Sequence, residues 1–205
     1  MYLPKLRELK EALTSFFTAP YTTRFPAEDY VPVPEYRGFP EYDAEKCVGC
    51  GTCAQVCPTG AIILRDDKVK KVRTLTVEYC SCIHCGQCHE KCITGDGIKP
   101  TVKYALPVMD LQAPELFETL EKELAVCEAC GEVIACADHL GWIRRRLGAK
   151  AYANPLLMME LQDEFFDAET SSVKSRIRRE DYMKITCAKC RQKIVTADEF
   201  YGFSD

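Results

Sequence analysis

The reading turns on CVGCGTCAQVCPTGAI, residues 47–62, and its echo CIHCGQCHEKCITGDGI, residues 82–98. Both runs follow the order C-x2-C-x2-C-x3-C, and the second carries one extra residue near its end. Between them, AIILRDD and KKVRTLTVEY read as two strands joined by a turn near Asp66–Lys68. The repeat and its intervening hairpin mark out residues 44–104 as one unit, whose short turns and strands predict an α+β core.

The spacing has a chemical reason. Three closely spaced thiolates wrap one set of corners of a 4Fe–4S cubane, and a fourth, placed after a short helical turn, points away toward a second site. Two such runs therefore complete each other. Cys47, Cys50, Cys53 and Cys92 are expected to hold one [4Fe–4S] cluster, and Cys82, Cys85, Cys88 and Cys57 the other. Gly49, Gly51 and Gly86 let the backbone come close to sulfide and donate N–H bonds to it. Pro58 completes the bacterial ferredoxin signature of the first run, whereas Ile93 stands in the equivalent place of the second.

The bulk composition agrees. Fourteen cysteines in 205 residues suit a disulfide framework less well than metal ligation, because disulfide-dense domains are short and secreted. Residues 1–17 interleave Lys5, Arg7, Glu8, Lys10 and Glu11 with apolar residues, so no signal peptide is read there. A reducing, cytosolic setting follows. The formal charge of −4 lacks the basic excess of a nucleic-acid binder, and no apolar run reaches the length of a membrane span.

Outward toward the N-terminus, Leu6, Leu9, Leu13, Phe16 and Phe17 fall on one face of a predicted amphipathic helix over 3–17. That face would pack either on the chain's own core or on a membrane subunit or bilayer surface. Residues 20–42 hold five prolines and four tyrosines and predict an extended strap lying across a surface, the chain's own or, the favoured reading, a partner's. Residues 1–43 thus form an N-terminal arm.

Beyond residue 104, a helical lobe is expected over 105–205. PELFETLEKELAV (114–126) reads as a helix opened by Pro114, and a second helix is expected at about 133–147 with Gly148 as its stop. Residues 155–166 and 171–183 are further helix candidates. Cys127-x2-Cys130 and Cys187-x2-Cys190 form two knuckles suited to a tetrahedral ion, zinc or a single rubredoxin-like iron. Cys136 and His139 are expected to be structural, and Cys80 a buried free thiol. His84 should pack beside a cluster and hydrogen-bond to backbone. Lys46, Lys91 and Lys99 either offset cluster charge or are simply solvated. Arg144–Arg146 and the run Lys174, Arg176, Arg178, Arg179 read as solvated faces. No constellation for substrate catalysis stands out.

The tandem cysteine runs, preceded by an amphipathic helix and a Pro/Tyr strap, resemble the two-cluster ferredoxin subunit of respiratory complex I and of membrane-bound nickel–iron hydrogenases. The knuckle Cys127/Cys130 followed by TCAKC (186–190) is similar to the formate-hydrogenlyase-type subunit. The resemblance implies an electron-transfer subunit, peripheral on the cytoplasmic side of a membrane complex. Its partners would be the small and large hydrogenase subunits, an electron-input iron–sulfur subunit and a membrane arm. A complex I-type quinone oxidoreductase subunit and a free soluble ferredoxin are the alternatives.

Overall fold

The computed structural model describes residues 5–19, 22, 24, 27–28, 30–159, 161 and 184–201. The chain divides into two units, Met1–Tyr36 and Arg37–Asp205. In the first, helix α1 spans Leu6–Phe17. Its N-terminus is tied by the Lys5 amide donating to Glu8 Oε2 at 3.0 Å. The apolar face expected from the sequence is present, and Leu6, Phe16 and Phe17 are each more than four-fifths exposed.

The second unit is built on a two-fold repetition. Each cysteine run is a loop, a short helix and a strand. The first comprises residues 47–51, α2 (Thr52–Val56) and β2 (Ile62–Asp67); the second comprises residues 82–86, α3 (Gln87–Glu90) and β4 (Ile98–Pro100). Two more strands precede the runs, β1 (Pro40–Tyr42) and β3 (Val72–Glu78). The pairing crosses over. Strand β1, before the first run, pairs antiparallel with β4, after the second; β3, before the second, pairs with β2, after the first. This exchange draws the tail of each run toward the head of the other. Cys53, Ile62, Val77, Tyr79 and Ile98 form the buried core between them. The hairpin turn occupies Lys68–Lys71, slightly later than expected, with Asp67 Oδ1 accepting from the amides of Val69 and Lys70 at 2.9 and 3.0 Å.

Residues 114–126 correct the sequence reading. Instead of a helix they form a short 3-10 turn, Pro114–Leu116, and a long strand β5, Phe117–Val126. Leu116, Leu120 and Leu124 are four apart, a spacing that satisfies both a helix face and alternate positions of a strand. Strand β3 offers an open edge, and pairing along it outweighs the helical propensity of the Glu, Lys and Leu residues. The expected second helix is also shorter at its start: Val133–Cys136 is strand β6, and helix α4 covers Ala137–Leu147. Gly148 does end it, at φ +55°. The result is a four-stranded sheet in the order β2-β3-β5-β6. The segment after residue 104 is therefore not purely helical; its first half widens the β2–β3 hairpin into a sheet.

The register fixes which side chains share a face. Leu64, Leu75 and Leu120 stand opposite one another across three strands, and so do Asp66, Arg73 and Lys122. Cys136 stands opposite Leu124 on the same face. After α4 come a 3-10 segment, Gly148–Ala153, and a helical turn at 155–159. The helix expected at 171–183 lies outside the described residues, as do Lys174, Arg176, Arg178 and Arg179. The final helix, α5, is Ala188–Tyr201.

Candidate metal centres

The eight cysteines of the two runs line two separate cavities. One is lined by Cys47, Cys50, Cys53 and Cys92, with Val48, Leu75 and Ile98 among its apolar walls. The other is lined by Cys57, Cys82, Cys85 and Cys88, with Ile62, Val77 and Ile83. Each thus draws three cysteines from one run and the fourth from the other, the exchange that the crossed strand pairing imposes.

Backbone conformation repeats between the sites. Gly51 and Gly86 precede α2 and α3 at φ +79° and +76°. Gly49, at φ +68°, donates its amide to the Cys47 sulfur. Its counterpart is His84, at φ +55°, which donates likewise to Cys82. The second run therefore holds a side chain in the left-handed region where the first has glycine. His84 packs against Phe39, the rings tilted by 58° with centroids 4.8 Å apart. Its Nδ1 is buried and finds no hydrogen-bond partner among the described residues, contrary to the backbone bond expected for it. His89 makes that kind of bond instead, its Nδ1 lying 2.9 Å from the Ile98 carbonyl oxygen.

The fourth cysteine of each run has its own fan of donors. Burial works against the Cys57 thiolate, but the Thr59 hydroxyl and the amides of Ile62, Thr59 and Ala61 outweigh it and lower the pKa. At Cys92 burial is likewise overcome, by the Thr94 hydroxyl and the amides of Thr94, Gly97 and Ile98. The correspondence is residue for residue apart from the insertion at Asp96, which sits between Lys46 and Lys99 at 3.8 and 3.0 Å. Deeper cysteines behave oppositely. Burial pushes Cys53 up to about 12 and Cys88 up to about 11, so neither favours the thiolate without a cation beside it. Thiol clusters in apolar walls, with amides aimed at the sulfurs, are the donor set an iron–sulfur cubane needs.

A third group lies in the C-terminal part. The sulfurs of Cys127, Cys130, Cys187 and Cys190 all fall within 4.8 Å of one another. Cys130 and Cys187 are 3.7 Å apart. Four sulfurs on a tetrahedral ion at about 2.3 Å would stand about 3.8 Å apart, so the set fits zinc or a single iron. The first knuckle is the turn between β5 and β6, closed by the Cys127 amide on the Glu132 carbonyl at 2.8 Å. The second leads into α5. They are docked by the Glu128 amide donating to the Ile185 carbonyl at 2.9 Å, and the Ile185 amide to Glu128 Oε1 at 3.0 Å. Cys127 is buried, yet the amides of Cys187, Cys130 and Ala129 overcome that burial and bring it down to about 6.

The remaining expected residues fall as follows. Cys80 is exposed, not buried: it lies in the 3-10 turn Tyr79–Ser81, where Tyr79 turns inward and Cys80 outward. Cys136 is fully buried at the end of β6, and His139 lies on α4. Reasoning from sequence missed Arg73 and Lys122. Arg73 Nη1 donates to the Gly49 carbonyl at 2.9 Å while its Nε and Nη2 grip Asp66 at 2.7 and 2.8 Å. Lys122 Nζ donates to the Ala44 carbonyl at 2.6 Å and to Asp138 at 2.7 Å. The only sequence signal for either is an inward charge in an otherwise apolar strand pattern.

Comparison with known proteins bears on this region. Residues 40–63 match the family model for a 4Fe-4S binding domain. Subunit I of the NAD(P)H-quinone oxidoreductase of Prochlorococcus marinus strain AS9601 is 32% identical over 65 residues, 29% of this chain and 31% of that protein. The same subunit of strain NATL1A is also 32% identical over 65 residues. The chain spans about a third of the length of these curated relatives. A chain from the structure of the membrane-bound sulfane sulfur reductase, an archaeal respiratory membrane complex, is 30% identical, with 54% of this chain and 59% of that one covered and a TM-score of 0.40.

Proposed function

We propose that this chain is an electron-transfer subunit of a membrane-associated oxidoreductase complex and that it carries two [4Fe–4S] clusters. The observation that carries the reading is the pair of cavities, each lined by three cysteines of one run and the fourth of the other. Cys47, Cys50, Cys53 and Cys92 hold one cluster; Cys82, Cys85, Cys88 and Cys57 hold the other. When bound, each cluster takes up and releases one electron at a time. The chain's own residues set the conditions. The amides of Gly49, His84, Ala61 and Gly97 meet the sulfurs, and Ile62, Val77 and Ile98 keep water from the wall between the sites. Cys127, Cys130, Cys187 and Cys190 hold zinc, or a single iron, as a staple.

The parent complex we propose is a nickel–iron hydrogenase of the formate-hydrogenlyase type, on the strength of the second pair of knuckles. The chain would sit at the cytoplasmic membrane surface, between an electron-input iron–sulfur subunit and the hydrogenase small subunit, which is paired with the large one. Among the described residues no helix is long and apolar enough to cross a membrane, so attachment would run through α1 and partner subunits. A second reading, a quinone oxidoreductase subunit, is favoured by the match to subunit I. Anaerobic isolation of the native complex with metal quantification separates them. At least about eight irons for each copy are expected. Copurifying nickel supports the hydrogenase; an iron-rich complex without nickel supports the quinone oxidoreductase. Near-absence of iron overturns the cluster assignment itself.

A further inference from the structure

The two cluster loops are held differently. Val48, in the first run, is buried at 7% exposure, whereas its repeat counterpart Ile83 is 61% exposed. The difference comes from the face of the widened sheet. The Gly49 carbonyl accepts from Arg73 Nη1 at 2.9 Å and from the Cys136 thiol at 3.3 Å. A Cβ placed on Gly49 would lie 2.6 Å from the Cys136 sulfur and 3.1 Å from Lys122 Cβ. The Ala44 carbonyl, three residues before the same loop, is held by Lys122. Strands β3, β5 and β6 thus each contribute one side chain to this loop or to the residues that lead into it. In the second run the nearest equivalent is one long contact, Arg37 Nη1 to the Cys85 carbonyl at 3.4 Å.

We infer that Arg73 and Cys136 are positioning residues for the cluster held by Cys47, Cys50, Cys53 and Cys92, setting its reduction potential apart from that of the other. The inference rests on the two-cluster reading above. Gly49 belongs to two peptide planes that meet at its Cα. Its amide meets the Cys47 sulfur, and its carbonyl is fixed from the far side by the two donors. A hydrogen bond to a ligand sulfur stabilises the reduced, more negative state of a cluster and raises its potential. Fixing that carbonyl fixes the Gly49–Cys50 peptide plane, which holds the backbone of Cys50 and restrains the rotation at Gly49 Cα that would swing the amide away from the Cys47 sulfur. The Arg73 charge, shared with Asp66, adds a smaller effect of the same sign. Neither group touches the second loop, so its cluster does not respond.

The test is an EPR-monitored redox titration of the full chain with both clusters assembled anaerobically, the first cluster's signal being the one altered by Cys50→Ser. Cys136→Val and Cys136→Ser are compared. Valine keeps the bulk and removes the donor; serine keeps a donor. The expected result is that Cys136→Val lowers the first cluster's midpoint alone, by up to about a tenfold change in its one-electron equilibrium, or about 59 mV. Cys136→Ser should stay at the wild-type value. Arg73→Met paired with Asp66→Asn, which leaves no unpaired acid, should act in the same direction as the valine. If Cys136→Val behaves as wild type while Cys136→Ser is disturbed, Cys136 is a packing residue and the inference fails. Equal movement of both midpoints, or of neither, also overturns it. Wild-type protein that assembles no cluster refutes the underlying two-cluster reading instead.

Discussion

His84 occupies a backbone conformation that the first run reserves for Gly49, at φ +55° against +68°. Left-handed backbone costs a side-chain-bearing residue about 1–2 kcal/mol, and asparagine tolerates it better than most. His84→Asn should therefore leave thermal stability of the cluster-loaded protein nearly unchanged. His84→Val, with its branched Cβ, should destabilise by at least about 1 kcal/mol, read as a lowered unfolding midpoint. The grouping of the eight cysteines into two sets was legible at this scale because much of it is local: the spacing alone puts three sulfurs on one loop. The strain at His84 was not legible, since nothing in CIHCGQC announces a positive φ except comparison with CVGCGTC. Cys80 misled for a similar reason. Burial of a lone cysteine is a matter of which way one turn faces, and composition does not carry that.

Among the elements, the hairpin β2–β3 could be read from its alternating pattern, and β5 could not. Three leucines spaced by four residues fit either period, and the choice was made by the free edge of β3, a partner 39 to 51 residues away in sequence. The clamp on the Gly49 loop was hidden for the same reason: Arg73, Lys122 and Cys136 meet only once the strand register is known. Leu75 sits at the middle of the row Leu64–Leu75–Leu120 with no exposure. Leu75→Ala should cost about 2–5 kcal/mol, by the usual cost of emptying a well-packed site. Because that row underlies the first loop, chemical denaturation of the loaded protein should show loss of cluster absorbance and loss of sheet structure moving together to lower denaturant.

For the molecule as a whole, the two knuckles were legible as pairs, but their docking across the long intervening segment depends on the Glu128–Ile185 contacts. The four sulfurs there titrate unequally without a cation. Cys127 is brought down to about 6 by backbone amides despite its burial, whereas Cys190 is pushed up to about 12 by the neighbouring Cys130 and Cys187 sulfurs and by burial. Metal binding must displace the protons that remain on the set, so zinc affinity should rise with pH. It should fall more steeply below about 6, where Cys127 also holds a proton. Competition with a colorimetric zinc chelator, on protein whose clusters are intact, measures that slope. The crossed lining of the two cysteine cavities ties together the assembly of the two proposed clusters. A chain that has built one cubane has already brought the other's three-cysteine loop and fourth cysteine to their places, so the second fills more readily than the first. Stepwise reconstitution with limiting iron and sulfide should then yield a bimodal population, empty chains and doubly filled ones, with singly filled chains rare in native mass spectra. Independent filling would give the binomial distribution instead.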